Sequence, residues 1–136
     1  MPKKASRKTI VKKLDAIFSI YIRRRYAKND IAECVTCGKQ DHWKSLQAGH
    51  FMSRKHLSTR WDEQNVKPQS AADNLFGQGE QYKFGMLLDS QYGEGTAVEL
   101  QIKARQSYKM SRVDYEEKIR YYKKLVKNLK KEKNLD

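Results

Sequence analysis

The sequence has no long apolar run, few cysteines and a shortage of acidic residues. No stretch approaches the roughly 20 apolar residues that a transmembrane helix needs, so no membrane span is predicted. The basic start, MPKKASRKT, has no apolar segment behind it and does not predict a secretory signal. We therefore expect a cytoplasmic protein without a membrane partner.

The chain contains only two cysteines, Cys34 and Cys37, spaced as C-x-x-C. Without an export signal, this spacing favours metal binding or redox chemistry over a structural disulfide. The same two residues could also be a pair of buried thiols.

The shortage of acidic residues leaves the chain strongly basic. Its 29 Lys and Arg residues exceed its 16 Asp and Glu residues and give a formal net charge of +13. Such an excess predicts a polyanionic partner, because each phosphate contact releases condensed counterions. A nucleic acid and an anionic membrane surface both meet that description.

The length predicts one domain, residues 1–136, with one modest core. Apolar spacing predicts a basic N-terminal helix within residues 1–28 and C-terminal helices within residues 96–136. The central segment, residues 31–95, lies between them. From Asn29 to Lys67 helical periodicity gives way to Cys, His, Trp and Gly, and a short hairpin is predicted around residues 42–52. The predicted fold class is α+β and mostly helical.

Two S-x-x-D pairs predict the starts of helices. Ser70 precedes Asp73 by three residues, and Ser111 precedes Asp114 in the same way before a last helix over about residues 112–133. That helix carries a heptad-like apolar seam, which either packs on the domain or forms a homodimer. The seam consists of Tyr115, Ile119, Tyr122, Val126 and Leu129.

The central segment contains the parts that metal-assisted phosphodiester cleavage needs. These are a base for water, an oxygen-rich site for a hard cation, and positive charge around phosphorus. His50 can supply the base, and Asn74 with a nearby carboxylate can supply the cation site. Arg54, Lys55 and Arg60 can supply the positive charge, and the run Arg23, Arg24 and Arg25 adds further candidates for DNA contacts.

The order of the motifs in this segment resembles that of the phage NinG/Rap-type recombination endonucleases. These belong to the HNH (ββα-metal) superfamily, and the segment is more distantly similar to phage endonuclease VII. The resemblance covers about residues 31–95 and implies a ββα-metal core with a short β-hairpin, flanked by N- and C-terminal helices. Five ordered elements carry it: Cys34-x-x-Cys37, Ala48-Gly49-His50-Phe51, the loop Asn65-Val66-Lys67-Pro68-Gln69, Ser70-x-x-Asp73-Asn74, and Gly79.

The resemblance implies a role for each residue of an H-N-N set. His50 would be the general base, Asn65 would brace the loop that bears it, and Asn74 would bind Mg²⁺ or Mn²⁺. Many HNH proteins place an aspartate ligand directly before the histidine, but Gly49 stands there in this sequence. Another residue must then supply the second ligand, and the candidates in order are Glu80, Asp73 and Asp62.

The resemblance also implies a structural zinc site, from which this sequence departs. The family has cysteines at positions 70 and 73, which with Cys34 and Cys37 would complete a Cys₄ site, whereas this chain has Ser70 and Asp73. Serine is a poor zinc ligand. The two residues can instead cap a helix, Ser70 accepting from the amide near Asp73 and Asp73 reaching back. We call the turn that carries Cys34 and Cys37 the knuckle, and we expect it to form without zinc.

The resemblance implies a metal-dependent, structure-specific DNA endonuclease of a phage. Its substrates would be branched recombination intermediates such as Holliday junctions and D-loops, in the cytoplasm of the bacterial host. The missing aspartate and cysteines leave an alternative open, a non-catalytic DNA-binding protein on a degenerate HNH scaffold. A third possibility is an RNA-binding knuckle protein.

Overall fold

The computed structural model describes residues 5–133, apart from the side chain of Phe76. Residues 1–4 and 134–136, which the predicted N- and C-terminal helices include, lie outside the described residues. The elements follow in this order: α1 (Arg7–Arg25), β1 (Ile31–Glu33), β2 (Gln40–His42), a 3₁₀ turn (Trp43–Ser45), β3 (Gln47–His50), α2 (Leu57–Arg60), β4 (Val66–Gln69), a π-helical turn (Ala72–Phe76), α3 (Gln81–Tyr92), α4 (Thr96–Ala104) and α5 (Arg112–Glu132).

Helices α1 and α5 pack side by side and form the largest part of the core. They run parallel, because Arg112 donates to the Ala5 carbonyl at one end and the Lys133 ammonium donates to the Arg24 carbonyl (2.7 Å) at the other. The predicted seam of α5 is packed against α1. A homodimer would therefore need a different surface. The buried side chains of α1 in this interface are Ile10, Leu14, Phe18, Tyr21 and Ile22.

The strands form two separate antiparallel hairpins. Strand β1 pairs with β2, with Ile31 opposite His42, and β3 pairs with β4, with His50 opposite Val66. The predicted α+β, mostly helical class is confirmed. The predicted hairpin over residues 42–52 is wrong, because the 3₁₀ turn separates β2 from β3 and each strand pairs elsewhere.

Strand β4 occupies the segment that the sequence predicted to be a loop. All four of its residues are buried. Burial is tolerated because the donor groups of the polar side chains have partners, although the Gln69 Oε1 atom has none among the described residues. The Lys67 ammonium donates to the Tyr26 hydroxyl (2.7 Å), and the Gln69 amide donates to the Gly79 carbonyl (2.9 Å).

The predicted helix starts have different outcomes. Ser111 and Asp114 form the expected capping box at the start of α5. After Ser70 the chain makes only the single π-helical turn, and α3 begins later, at Gln81. Within the described residues, no helix is long and apolar enough to cross a membrane.

Candidate functional site

A cavity of about 420 Å³ lies between α1, β3 and the π-helical turn. We call it the His50 cavity. It brings together the predicted base His50, the predicted cation ligand Asn74, and the predicted DNA-binding residues Arg23 and Arg54. The remaining lining residues are Asp15, Phe18, Ser19, Lys44, Leu46, Gln47 and Ala48.

The imidazole of His50 is held by a main-chain carbonyl. His50 ends β3, and its Nε2 lies 2.9 Å from the Arg60 carbonyl oxygen. A carbonyl only accepts, so Nε2 carries the proton of the neutral ring and Nδ1 carries the lone pair. Burial lowers the pKa of His50 from its ordinary 6.5, although the Arg60 carbonyl acts in the opposite direction. Burial therefore favours the neutral form of the ring at pH 7.

Asn65 links the two ends of the segment that follows His50. Its side chain is fully buried. Its Oδ1 accepts from the Met52 amide (2.8 Å), while its Nδ2 donates to the carbonyls of Met52 and Thr59 (both 3.0 Å). These are the contacts expected of a residue that braces the histidine-bearing loop.

Asp15 of α1 joins the N-terminal helix to the same segment. Its carboxylate accepts from Arg60 Nε (3.1 Å) and from a second Arg60 nitrogen (2.5 Å), from Arg54 (3.1 Å) and from the Trp61 indole (3.0 Å). The Arg60 guanidinium is thus held in an ion pair with only 17% of its side chain exposed. A phosphate contact by Arg60 would compete with this ion pair, as would one by the more exposed Arg54 (61% of its side chain), and the role of Arg60 stays a prediction.

The structure brings none of the three predicted acidic ligands to the His50 cavity. The Asp73 carboxylate accepts instead from Thr36 (2.5 Å), because the π-helical turn directs it toward the knuckle. Asp62 is paired with Lys103 (2.6 Å). Glu80 is exposed in a left-handed backbone conformation before α3 and is absent from the cavity lining.

Neighbouring side chains determine which atom of Asn74 is available and which residue can stand at position 49. Asn74 Nδ2 donates to Gln47 Oε1 (2.6 Å), which leaves Oδ1 as the oxygen that Asn74 can offer a cation. A β-carbon at Gly49 would lie 2.7 Å from the β-carbon of buried Gln69. An aspartate before His50 therefore has no room here.

The other predicted DNA-binding residues lie outside the cavity lining. The Arg24 guanidinium stacks on Trp43, 4.3 Å from the ring centroid, and Arg25 forms an ion pair with Glu63. Lys55 is exposed on the loop after His50. These contacts leave Arg23 and Arg54 as the predicted arginines that line the cavity.

Several lining residues were not predicted from the sequence, among them the polar side chains of Asp15, Lys44 and Gln47. For Asp15 a signal exists, because it is the only acidic residue among the first 29 residues of the chain. A single anion in so basic a segment is a candidate for a buried ion pair. Lys44 and Gln47 carry no comparable signal.

The C-x-x-C knuckle is closed by hydrogen bonds. Cys34 Sγ accepts from the Ser70 amide (3.1 Å), and the Asp73 amide donates to Ser70 Oγ (3.2 Å). The first half of the predicted cap is therefore present, whereas Asp73 reaches Thr36 rather than back to Ser70. Burial raises the pKa of the Cys34 thiol, but hydrogen bonds from Thr36 and Ser70 outweigh burial and lower it to about 7.

The profile of one protein family matches nearly the whole chain. The family is described as bacteriophage lambda NinG protein, and the match covers residues 2–132. The chain belongs to the NinG family. No curated protein and no solved structure gives a significant match. The predicted NinG resemblance is thus confirmed, and it extends well beyond residues 31–95; the HNH assignment stays a prediction.

The zinc ligands that the NinG resemblance implies are only half present. Ligand atoms of Cys34, Cys37 and Asp73 lie within 4.8 Å of one another, the only such group of three among residues 5–133. The fourth position is Ser70, whose Oγ lies 3.8 Å from Cys37 Sγ and already accepts from a main-chain amide. Zinc would meet two thiols, one carboxylate and a hydroxyl here rather than four thiols, and the knuckle without zinc stays a prediction.

We predict that the stability of the knuckle depends on Thr36 and not on zinc. Thr36 Oγ1 donates to Asp73 and accepts from Gln69 (3.0 Å), so Thr36→Val should lower the free energy of unfolding by about 1–3 kcal/mol. EDTA should leave the free energy of unfolding unchanged. Urea unfolding measures both effects, and elemental analysis supplies the control. Stoichiometric zinc, or a large loss of stability in EDTA, would contradict this account.

Proposed function

We propose that this NinG-family protein is an HNH-type, metal-dependent endonuclease that hydrolyses branched DNA during phage recombination. Its substrates would be structures such as Holliday junctions and D-loops, and its cofactor would be Mg²⁺ or Mn²⁺. The proposal places the reaction in the His50 cavity, with His50 as the base, Asn74 as a cation ligand and Asn65 as the brace of the histidine-bearing loop.

One observation carries this proposal, the pairing of an oriented neutral histidine with a cationic cavity. His50 Nε2 is anchored on the Arg60 carbonyl, and burial lowers the pKa of the ring. The same cavity contains the amide of Asn74 and the cationic side chains of Arg23, Lys44 and Arg54. A base beside an oxygen ligand and several cations is the arrangement that phosphodiester hydrolysis needs.

The chain's own residues account for proton transfer and charge compensation. His50 Nδ1 would accept a proton from water as the water oxygen forms a bond to phosphorus. The bond between phosphorus and the deoxyribose oxygen then breaks, and that oxygen leaves with a proton from solvent. The cationic groups of Lys44 and Arg54 would offset the negative charge that develops on the phosphate oxygens.

The cavity residues fit a hard divalent cation in part. Mg²⁺ in proteins is held by one or two carboxylates together with phosphate oxygens and water. Asn74 Oδ1 offers one oxygen, but Asp15, the one carboxylate among the lining residues described, already accepts from Arg54, Arg60 and Trp61. Phosphate oxygens of the DNA would have to complete the ligand set. When bound, the cation would supply further positive charge at the phosphate.

The engaged state of Asp15 favours one alternative, a DNA-binding protein without catalytic activity. A cavity with no carboxylate to spare could bind a phosphate through its cations and leave the bond intact. The RNA-binding alternative has no comparable observation in its favour.

We predict that His50→Ala strongly reduces the cleavage rate and retains DNA binding. Loss of a general base should reduce the cleavage rate by about 10²–10⁴-fold, because water must then be deprotonated without help. Cleavage is measured on linear, flapped and four-way DNA with Mg²⁺, Mn²⁺ or EDTA, and binding is measured in EDTA.

His56→Ala is the matched control for this experiment, because the His56 side chain makes no capping hydrogen bond at the start of α2. It should cleave like the wild type. If the wild type binds four-way DNA but cuts nothing with either metal, the non-catalytic alternative is correct. Equal cleavage by wild type and His50→Ala would exclude His50 as the base.

We predict that cleavage depends on pH through a group more acidic than ordinary histidine. Burial lowers the pKa of His50 below 6.5, so the fraction of neutral base rises with pH through the acidic range and the neutral form predominates at pH 7. The logarithm of kcat/KM should therefore rise through the acidic range and level off near neutrality. A rate that still rises above pH 8 would assign the base to another group.

A further inference from the structure

One side of α5 carries a row of exposed basic residues that the proposed active site does not use. We call Arg120, Lys123, Lys127 and Lys130 the basic stripe; all four are exposed. Their spacings of three, four and three residues confine them to an arc of about 80° on a helix. They lie beside the buried seam of α5. Because the seam packs on α1, the rotation of α5 about its axis is fixed, and so is the side of the protein that the stripe faces.

The stripe borders a groove between α1 and α5. This groove has a volume of about 510 Å³, and Lys13 and Arg112 add two further cations to its walls. Glu116 is the single acidic residue among those that line it. Of the four ion pairs formed within residues 5–133, none involves a residue of the stripe. The positive charge of the stripe is therefore not offset by ion pairs within that part of the chain.

The groove and the His50 cavity lie on different sides of α1. Lys13 lines the groove and Asp15 lines the cavity. Side chains two residues apart on an α-helix point in directions that differ by about 200° around its axis. A duplex resists bending over lengths below about 150 base pairs. One straight duplex seated in the cavity would thus have to curve around α1 to reach the groove, whereas a second duplex segment could approach it directly.

We propose that the basic stripe binds the phosphodiester backbone of a second duplex segment, the other arm of a branched DNA whose first arm enters the His50 cavity. Arg120 to Lys130 spans about 15 Å of helix. Measured along the axis of a duplex, each strand has one phosphate per about 3.4 Å, so about 15 Å of axis carries roughly four phosphates of each strand. The inference rests on the DNA partner of the proposed function, and it does not require cleavage.

The test compares a stripe variant with a charge-matched control. The stripe variant combines Arg120→Gln, Lys123→Gln and Lys127→Gln. The control combines Lys39→Gln, Lys83→Gln and Lys109→Gln, which removes the same charge from exposed positions outside the stripe. Dissociation constants for a four-way junction and for a short linear duplex are measured in EDTA at several salt concentrations, with thermal melting to check folding.

We expect the stripe variant to weaken junction binding selectively. Its slope of log affinity against log salt should become shallower by about two to three on the junction, since each lost phosphate contact changes the slope by about 0.9. The slope on the short duplex, and both slopes of the control, should change by less than one. Equal changes on both DNAs, equal changes in both variants, or no change would overturn the proposal. Absence of cleavage by the wild type would refute the nuclease function alone.

Discussion

The carboxylate of Asp15 accepts hydrogen bonds from three side chains of the segment that follows His50, and the arrangement of the site depends on it. Arg54, Arg60 and Trp61 all donate to it. Two guanidinium groups so close together would repel each other without an anion between them. Because Arg60 is fixed by its side chain, its carbonyl is held 2.9 Å from His50 Nε2. A helix outside the central motif segment thus determines how the proposed base is oriented.

Asn65 holds the same segment through the main chain of Met52 and Thr59. The contacts of Asp15 are ionic and those of Asn65 are neutral, and neither side chain forms a hydrogen bond to the His50 ring. The basic residues of the chain fall into two groups. Some form ion pairs within the protein, as Arg25 does with Glu63, and others line the His50 cavity or the α1–α5 groove. Net charge alone therefore overstates how many basic residues are available to DNA.

Periodicity and capping signals in the sequence predict the helical part of this fold well, because they act over three or four residues. The seam of α5 and the Ser111 cap are examples. The partners of Asp15 lie 39–46 residues away, and no local pattern encodes such contacts. The prediction of a loop at strand β4 was wrong for the same reason. The hydroxyls that accept from Lys67 and Gln69 belong to Tyr26 and Thr36, which lie 41 and 33 residues away in sequence. His50 and Asn74, which the order of motifs predicted to act together, line one cavity, whereas the three predicted carboxylate ligands lie outside it.

The cleavage rate of Asp15→Asn as a function of pH tests most directly whether this carboxylate positions His50. The negative charge of Asp15 raises the pKa of His50, so its removal should move the midpoint of the pH profile to lower pH. Misplacement of the base should also lower kcat by about 10²-fold, while junction binding in EDTA remains that of the wild type. Glu117→Gln, an exposed loss of one negative charge on α5, should change neither quantity. An Asp15→Asn protein that folds and cleaves with the wild-type kcat and pH profile would contradict the account.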